Sequence, residues 1–202
     1  MDAVFHVFAY LKARHNSRMV FDPAYPSNDK TNFQENEWKR LYRDVKEAIP
    51  SNRPKTLGRE VDLCMFVDSD HATDKTTRRS RTGYFIYVNS ELVNWISKKQ
   101  ATIETSVFGA EFVATKQGME AVRGLRYKLR MMGVQISGPT YVYGDNMSVI
   151  HNTQRPELTL RKKSKSICYH VMRELVAMGE SLTGHIPTAG NCDELATKII
   201  PG

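Results

Sequence analysis

Apolar residues recur at helical spacing in two short segments near the start of the chain. Residues 3 to 11 and residues 38 to 49 each place large apolar side chains on one face of a helix, and Pro50 ends the second pattern. Between them, residues 17 to 33 contain clusters of Pro, Asp and Asn, which are typical of an extended tether. The pattern predicts two helices joined by a tether, with a domain boundary near residue 60.

A different pattern begins at residue 61. The stretch VDLCMFVD is apolar at both alternations, which predicts a central strand covered on both faces. Two more strands follow, joined tightly at Asn89 and Ser90 into an antiparallel hairpin whose aromatic residues, Trp95 among them, are predicted to lie in the core. A long helical pattern then covers residues 106 to 132 and ends at Gly133.

The remaining elements complete an alternating α/β order. The sequence predicts a strand (TYVYG), a short helix (DNMSVIHN), a helix over residues 159 to 178, a strand (SLTGHI) and a capped last helix (NCDELATKII). The order β-β-β-α-β-α-α-β-α predicts an α/β sheet with helices on both faces.

Composition narrows the class of protein. The 202 residues are 41% hydrophobic and 25% charged, which is typical of a globular domain, and no apolar run approaches the ~20 residues of a membrane span. Three scattered cysteines and a start without a signal-peptide cleavage site lead us to expect a reducing, intracellular location, in a cytoplasmic particle or the nucleus. A net charge of +7 is compatible with a nucleic-acid partner without establishing one.

Four acidic residues are candidates for chemistry. Asp68 ends the central strand and Asp145 follows the strand TYVYG, where functional groups of α/β sheets gather, although either could cap the next element. Glu111 lies near the apolar stripe of its helix, where a carboxylate is costly unless it is paired, binds metal or reaches water. Asp193 lies in the first turn of the last helix, where the helix dipole alone would favour it.

Together, these four carboxylates predict a divalent-metal site. Hard cations such as Mg²⁺ prefer oxygen ligands. Two such ions about 3.5–4 Å apart can stabilise both the attacking and the leaving oxygen of a phosphodiester. The sequence contains no competing Ser/His/Asp arrangement, phosphate-binding glycine loop or CxxC pair.

Ordered sequence blocks between residues 61 and 200 point to a known family. They are FVDSDHA, RRSRTGY, NWISKKQ with ETSVFGAEFVA, YVYGDNMSVI, KSICYHVMRE and HIPTAGNCDELATKIIPG. In this order they resemble the ribonuclease H domain of copia-type LTR-retrotransposon Pol polyproteins. The resemblance implies a ribonuclease-H-like mixed five-stranded sheet flanked by helices. It also implies two Mg²⁺ ions, with Mn²⁺ as a possible substitute, bound by the catalytic residues Asp68, Glu111, Asp145 and Asp193.

The resemblance also suggests how the chain is divided. Residues 1 to 16 resemble the end of a reverse transcriptase region, residues 17 to 60 would be a tether with one helix, and residues 61 to 202 the ribonuclease H-like domain. The sequence has no polymerase Tyr-x-Asp-Asp motif, so DNA synthesis is not expected. The loop IPTAGN also lacks the catalytic histidine of cellular ribonucleases H, and His185 is interpreted as structural.

Basic and polar side chains near the predicted active edge are candidates for contacts with nucleic-acid phosphates. Solvated loops are the alternative for most of them, and helix capping is the alternative for Asn146. Positive charge at a helix start opposes the helix dipole, so helix stability does not explain the run at 161–165 unless it lies in a loop. The candidates are Arg78, Arg79, Arg81, Lys98, Lys99, Asn146, Arg161, Lys162, Lys163 and Lys165.

We therefore expect a Mg²⁺-dependent endonuclease that cuts the RNA strand of RNA–DNA hybrids during retrotransposon reverse transcription. The expected partners are the hybrid and the reverse transcriptase portion of the same polyprotein, with no membrane. Two alternatives stay open: a non-catalytic nucleic-acid- or partner-binding fragment of a decayed element, and an integrase-like strand-transferase. The sequence does not indicate the oligomeric state.

Overall fold

The computed structural model describes residues 29–160 and 163–187, together with the single residues Ala9, Lys12, Ala13, Asn191 and Thr197. The predicted first and last helices, apart from those single residues, lie outside this part of the chain. The elements are α1 (Lys39–Tyr42), β1 (Leu63–Asp70), β2 (Arg81–Val88), β3 (Glu91–Lys99), α2 (Val107–Met131), β4 (Thr140–Gly144), α3 (Met147–Gln154), a 3₁₀ turn (Lys163–Lys165), α4 (Ser166–Ala177) and β5 (Ser181–His185).

The five strands form one mixed sheet in the order β3-β2-β1-β4-β5. The first three strands are antiparallel neighbours, whereas β1, β4 and β5 run parallel to one another. Leu63, Met65 and Val67 of β1 are almost completely buried. This confirms the prediction that the strand with two apolar faces is central.

Local sequence signals set the ends of the longest helix. The hydroxyl oxygen of Ser106 accepts a hydrogen bond from the backbone N–H of Gly109 and caps the start of α2. Gly133 follows its end in the left-handed region, at a φ of 76°, as predicted. No described helix is both long and apolar enough to cross a bilayer.

One apolar core joins α2, α3 and α4 to the sheet. Helix α2 approaches β1 closely at Gly118, where a Cβ atom would lie 2.6 Å from the sulfur of Met65. The core contains Met65, Ile86, Phe112, Met119, Val142, Val149, Met172 and Leu175.

The hairpin forms as predicted, with one error in burial. Asn89, in the left-handed region at a φ of 54°, makes the tight turn between β2 and β3. Tyr84 on β2 is buried, but the side chain of Trp95 on β3 is 60% exposed, so its assignment to the core is wrong. The reason is its place in the sheet, because β3 is the edge strand and only β2 lies beside it.

The segment before β1 packs against both the sheet and the helices, through Phe33 on the sheet and Glu47 on α2. The ring of Phe33 lies edge-on to Tyr141 and Tyr143, with centroid distances of 5.0 and 4.9 Å. Helix α1 ends at Tyr42, although the apolar spacing predicts a helix as far as residue 49. Its continuation is replaced by a tertiary contact, in which the backbone N–H of Glu47 donates to the carbonyl of Met178 over 3.1 Å.

Candidate active site

Three of the four predicted carboxylates come together at one edge of the sheet. One carboxylate oxygen from each of Asp68, Glu111 and Asp145 lies within 4.8 Å of the other two. Asp68 lies near the end of β1, and Asp145 directly follows β4, its parallel neighbour, so the topology places them side by side. The second turn of α2 adds Glu111 from above the sheet. We refer to these three residues as the acidic triad.

Glu111 is the most buried member of the acidic triad. Its side chain is buried, and its Oε1 accepts a hydrogen bond from the backbone N–H of Ser69 over 3.2 Å. Burial, followed by the charges of Asp68 and Asp145, raises the pKa of Glu111 to about 9. The alternative that this side chain reaches water at the edge of the helix is therefore wrong.

Two described residues of the block HIPTAGNCDELATKIIPG, Asn191 and Thr197, contact β1 at Asp68 and the residue before it; we call these two residues the closing segment. The hydroxyl of Thr197 donates to its Oδ2 over 2.6 Å, and the side-chain amide of Asn191 donates to the carbonyl of Val67 over 3.4 Å. The sequence predicts Asn191 as the cap of the last helix and predicts no role for Thr197. Their contacts with β1 span more than 120 residues of sequence, so no local signal could reveal them.

Helix capping does not account for Asp145. The cap of α3 is Asn146, whose Oδ1 accepts hydrogen bonds from the backbone N–H groups of Ser148 and Val149 over 3.1 and 3.3 Å. Asp145 is half-buried beside it. The alternative that Asp145 caps the helix is therefore wrong. Asn146 is the cap, which is the alternative to its predicted contact with nucleic acid.

The donor set of the acidic triad fits a hard divalent cation. All three side chains offer carboxylate oxygens, the ligands that Mg²⁺ and Mn²⁺ prefer. Among the described residues, no basic side chain forms an ion pair with Asp68 or Glu111. Three carboxylates this close together, two of them buried, need a cation to remain ionised together. The predicted fourth ligand, Asp193, lies outside the described residues and stays a prediction.

The structure brings two predicted basic clusters into one surface. Arg78 and Arg79 are exposed in the loop after β1, and Lys98 is exposed near the end of β3. Lys99 forms an ion pair with Asp74 of the same loop, and this contact holds the pKa of Asp74 well below its usual range. Arg81 is half-buried, with its guanidinium 3.3 Å from the hydroxyl of Ser97. The loop and the strand end therefore form a joint basic surface.

The described part of the basic run at residues 161 to 165, Lys163 and Lys165, precedes the α-helix and lies in a 3₁₀ turn rather than in a loop. Helix α4 begins at Ser166. The ammonium of Lys165 lies 2.5 Å from the buried carboxylate of Glu104, so this residue is tied to the protein. Arg161, Lys162 and the side chain of Lys163 lie outside the described part of the chain.

Glu104 is a buried acid that the sequence did not single out. It precedes α2 and also accepts a hydrogen bond from the hydroxyl of Thr102 over 2.8 Å, while its carbonyl lies 3.0 Å from Nε2 of His71. An isoleucine and a threonine flank it in sequence, and its partner Lys165 is 61 residues away. Only the fold shows that it is paired.

The block KSICYHVMRE has a structural role. The guanidinium of Arg173 donates to the carbonyls of Arg155, Pro156 and Leu158 over 3.1, 2.6 and 2.9 Å. The hydroxyl of Tyr169 donates to the carbonyl of Leu158 as well. This part of α4 therefore fixes the loop that leads to the basic run.

The sequence is similar to curated transposon polyproteins. It is 27% identical over 141 residues to the retrovirus-related Pol polyprotein from transposon RE1 of Arabidopsis thaliana, covering 70% of this chain and 10% of that protein. It is 27% identical over 175 residues to the polyprotein from transposon TNT 1-94 of Nicotiana tabacum, covering 84% of this chain and 13% of that protein. The chain thus spans about a tenth of the length of these curated relatives. No protein-family model matches it.

Solved structures of ribonucleases H have a similar fold. Ribonuclease H1 of Halobacterium salinarum superposes with a TM-score of 0.50 at 14% identity, covering 69% of this chain and 94% of that one. LC11-RNase H1 in complex with an RNA/DNA hybrid also gives a TM-score of 0.50 at 14% identity, covering 65% and 89%. The chain is a homologue of the retrovirus-related Pol polyproteins of transposons, and its mixed five-stranded sheet flanked by helices is the ribonuclease H fold.

Proposed function

We propose that this protein is a divalent-cation-dependent endonuclease that cuts the RNA strand of RNA–DNA hybrids during reverse transcription of its element. The observation that carries the proposal is the acidic triad, whose three carboxylates lie within 4.8 Å of one another with Glu111 buried. The hybrid bound to the similarly folded LC11-RNase H1 supports this substrate class. The similar Pol polyproteins of transposons support a place in such an element, and the resemblance of residues 1 to 16 to the end of a reverse transcriptase region supports a role beside that enzyme.

In this proposal the carboxylates bind the metal ions and Ser69 orients one of the carboxylates. Asp68, Glu111 and Asp145, with Asp193 as the fourth ligand, hold two Mg²⁺ ions, for which Mn²⁺ can substitute. Ions held there would supply Lewis-acid chemistry for in-line attack of water on phosphorus with departure of the 3′ oxygen, and the products would be a 5′-phosphate and a 3′-hydroxyl. The N–H of Ser69 keeps the carboxylate of Glu111 directed towards the other two members of the acidic triad.

Substrate binding is assigned to the basic surface beside the site. Arg78, Arg79 and Lys98 contact the sugar-phosphate backbone, with Arg81 and Lys99 supporting that surface from the strand ends. Binding of this kind reads the shape of a duplex and carries little base specificity. Arg161, Lys162 and Lys163 of the basic run are assigned the same role, whereas Lys165 is paired with Glu104.

The test is cleavage of a hybrid labelled on its RNA strand in the presence of Mg²⁺. Wild-type protein should cleave it, and Asp145→Asn should lose nearly all activity because it removes one ligand charge. Asp44→Asn is the matched control, since this aspartate is exposed and outside the acidic triad. Equal cleavage by wild type and Asp145→Asn would overturn the proposal.

Two other outcomes would select the alternatives. Binding of the hybrid without cleavage at any Mg²⁺ or Mn²⁺ concentration would indicate a non-catalytic binding fragment. Cutting or joining of DNA ends, with the hybrid left intact, would indicate an integrase-like strand-transferase.

A further inference from the structure

The contact between Thr197 and Asp68 joins the closing segment to the acidic triad. The side chain of Thr197 is 2% exposed, and its hydroxyl lies 2.6 Å from Oδ2 of Asp68. Asn191, also buried, reaches the carbonyl of Val67, the residue before Asp68. Two buried polar side chains of the closing segment therefore meet consecutive residues of one strand end.

The direction of this hydrogen bond is unusual for a helical threonine. Thr197 is helical, and a threonine in a helix commonly satisfies its hydroxyl with a carbonyl one turn earlier. Here the donor reaches a carboxylate on another element. Hydrogen bonds to an ionised acceptor are shorter and stronger than neutral ones, and a separation of 2.6 Å falls in that range.

The hydroxyl restricts how the carboxylate can turn. The χ2 torsion of an aspartate has a broad and nearly two-fold energy profile. The side chain by itself therefore does not determine which of its two oxygens faces a ligand. Because Oδ2 accepts from Thr197, a rotation of the Asp68 carboxylate would break this hydrogen bond, so the bond favours one orientation of the two oxygens. The side chain of Thr197 is branched at Cβ and buried, so its hydroxyl has few positions to adopt.

We propose that Thr197 is a positioning residue that orients the Asp68 carboxylate for divalent-cation binding. The inference rests on the proposed function for the identity of the site, and it goes further by giving a role to a residue that touches neither cation nor substrate. Residues of this kind typically change metal affinity by about 10- to 100-fold when they are removed. Ser69 makes the equivalent contact with Glu111 through its backbone N–H.

The experiment measures Mn²⁺ binding by calorimetry in the absence of nucleic acid. Thr197→Val keeps the shape of the side chain and removes the donor, so its affinity for Mn²⁺ should fall by about 10- to 100-fold. Thr197→Ser keeps the hydroxyl and should bind Mn²⁺ nearly as wild type does. Affinity for the hybrid in EDTA should be the same for all three proteins, since Thr197 does not face the basic surface in this proposal.

Several results would overturn the inference. Equal Mn²⁺ affinity for Thr197→Val and wild type would do so, as would equal losses in the valine and serine variants. If Thr197→Val does not fold, Thr197→Ala takes its place, and failure of both to fold would show a purely structural role. Wild-type protein that binds Mn²⁺ but leaves hybrids intact would contradict the proposed function alone, whereas wild type without Mn²⁺ affinity would contradict both.

Discussion

The ring of Phe33 occupies the space where a side chain at Gly184 would begin. A Cβ atom on Gly184 would lie 2.6 Å from Cζ of Phe33. The same ring packs edge-on against Tyr143 on β4. Tyr143 lies two residues before Asp145 in the sequence. Phe33, upstream of the sheet, is thus in van der Waals contact with β4, the strand that Asp145 directly follows.

The close packing of Phe33 on Gly184 predicts that one added methyl group at residue 184 lowers the stability of the fold. Gly184→Ala should displace the ring and lower the free energy of unfolding by about 1–3 kcal/mol, the usual cost of an overpacked core. Urea denaturation would measure it. Gly138→Ala is the matched control, because a Cβ there meets nothing within 4 Å. Equal stability of the two variants would show that Phe33 moves aside freely.

A second prediction concerns Glu47, which holds two arginines of α2. Its carboxylate accepts hydrogen bonds from Arg126 over 2.8 and 2.9 Å and from Arg130 over 2.5 and 3.1 Å. Glu47→Ala leaves two largely buried guanidinium groups without this partner and should cost about 3–5 kcal/mol. Glu37→Ala, at an exposed position of the same segment, is the control for urea denaturation at pH 7.

The same cluster should respond to acid. Burial raises the pKa of Glu47, but the hydrogen bonds and charges of Arg126 and Arg130 outweigh it and hold the pKa below the usual 4.5. A carboxyl of this kind stabilises the fold above pH 4.5 and loses that contribution as the pH falls through its lowered pKa. The difference between wild type and Glu47→Ala should therefore shrink at low pH, and a constant difference would contradict this assignment.

The sheet and the acidic triad could be predicted because both follow from local patterns. A run that is apolar on both faces places β1 in the centre, and Asp68 and Asp145 come at strand ends that topology makes adjacent. Glu111 could be found because a carboxylate beside an apolar stripe is conspicuous. Each of these signals lies within one element and its immediate neighbours.

The structural features that could not be predicted depend on contacts between residues far apart in the sequence. Helix α1 ends where Arg43 enters the left-handed region at a φ of 57°, and Glu47 beyond it bonds to Met178. The exposure of Trp95 follows from the position of β3 at the sheet edge. Thr197 reaches Asp68 across 129 residues of sequence. Tertiary contacts of this kind leave no periodicity in the chain, so propensity and spacing cannot show them.

The basic surface predicts a salt effect on hybrid binding. Arg79 is exposed in the loop after β1, and its replacement by Ala should remove one phosphate contact. The slope of log K against log salt concentration should then fall by about 0.9. Fluorescence anisotropy in EDTA would measure binding without cleavage, and Lys39→Ala in α1 is the control. An unchanged slope for Arg79→Ala would show that Arg79 does not contact a phosphate of the hybrid.

The last prediction concerns the stability of the metal-free protein as a function of pH. The pKa of Glu111 is raised from 4.5 to about 9, first by burial and then by Asp68 and Asp145. Below pH 4.5 this carboxyl is protonated in both the folded and the unfolded chain. Between pH 4.5 and about 9 only the folded chain keeps the proton, so the free energy of unfolding falls as the pH rises, by at most about 1.4 kcal/mol per unit.

Glu111→Gln isolates this effect because glutamine cannot ionise. In EDTA, the variant should lose the decline between pH 6 and 8.5 and should be more stable than wild type at pH 8. Mg²⁺ should stabilise wild type at pH 8 by binding the ionised carboxylates and should stabilise the variant far less. Glu120→Gln, at an exposed position of the same helix, should retain both responses. Urea denaturation at each pH gives the comparison, and an equal pH slope for wild type and Glu111→Gln would mean that Glu111 is ionised in the metal-free fold.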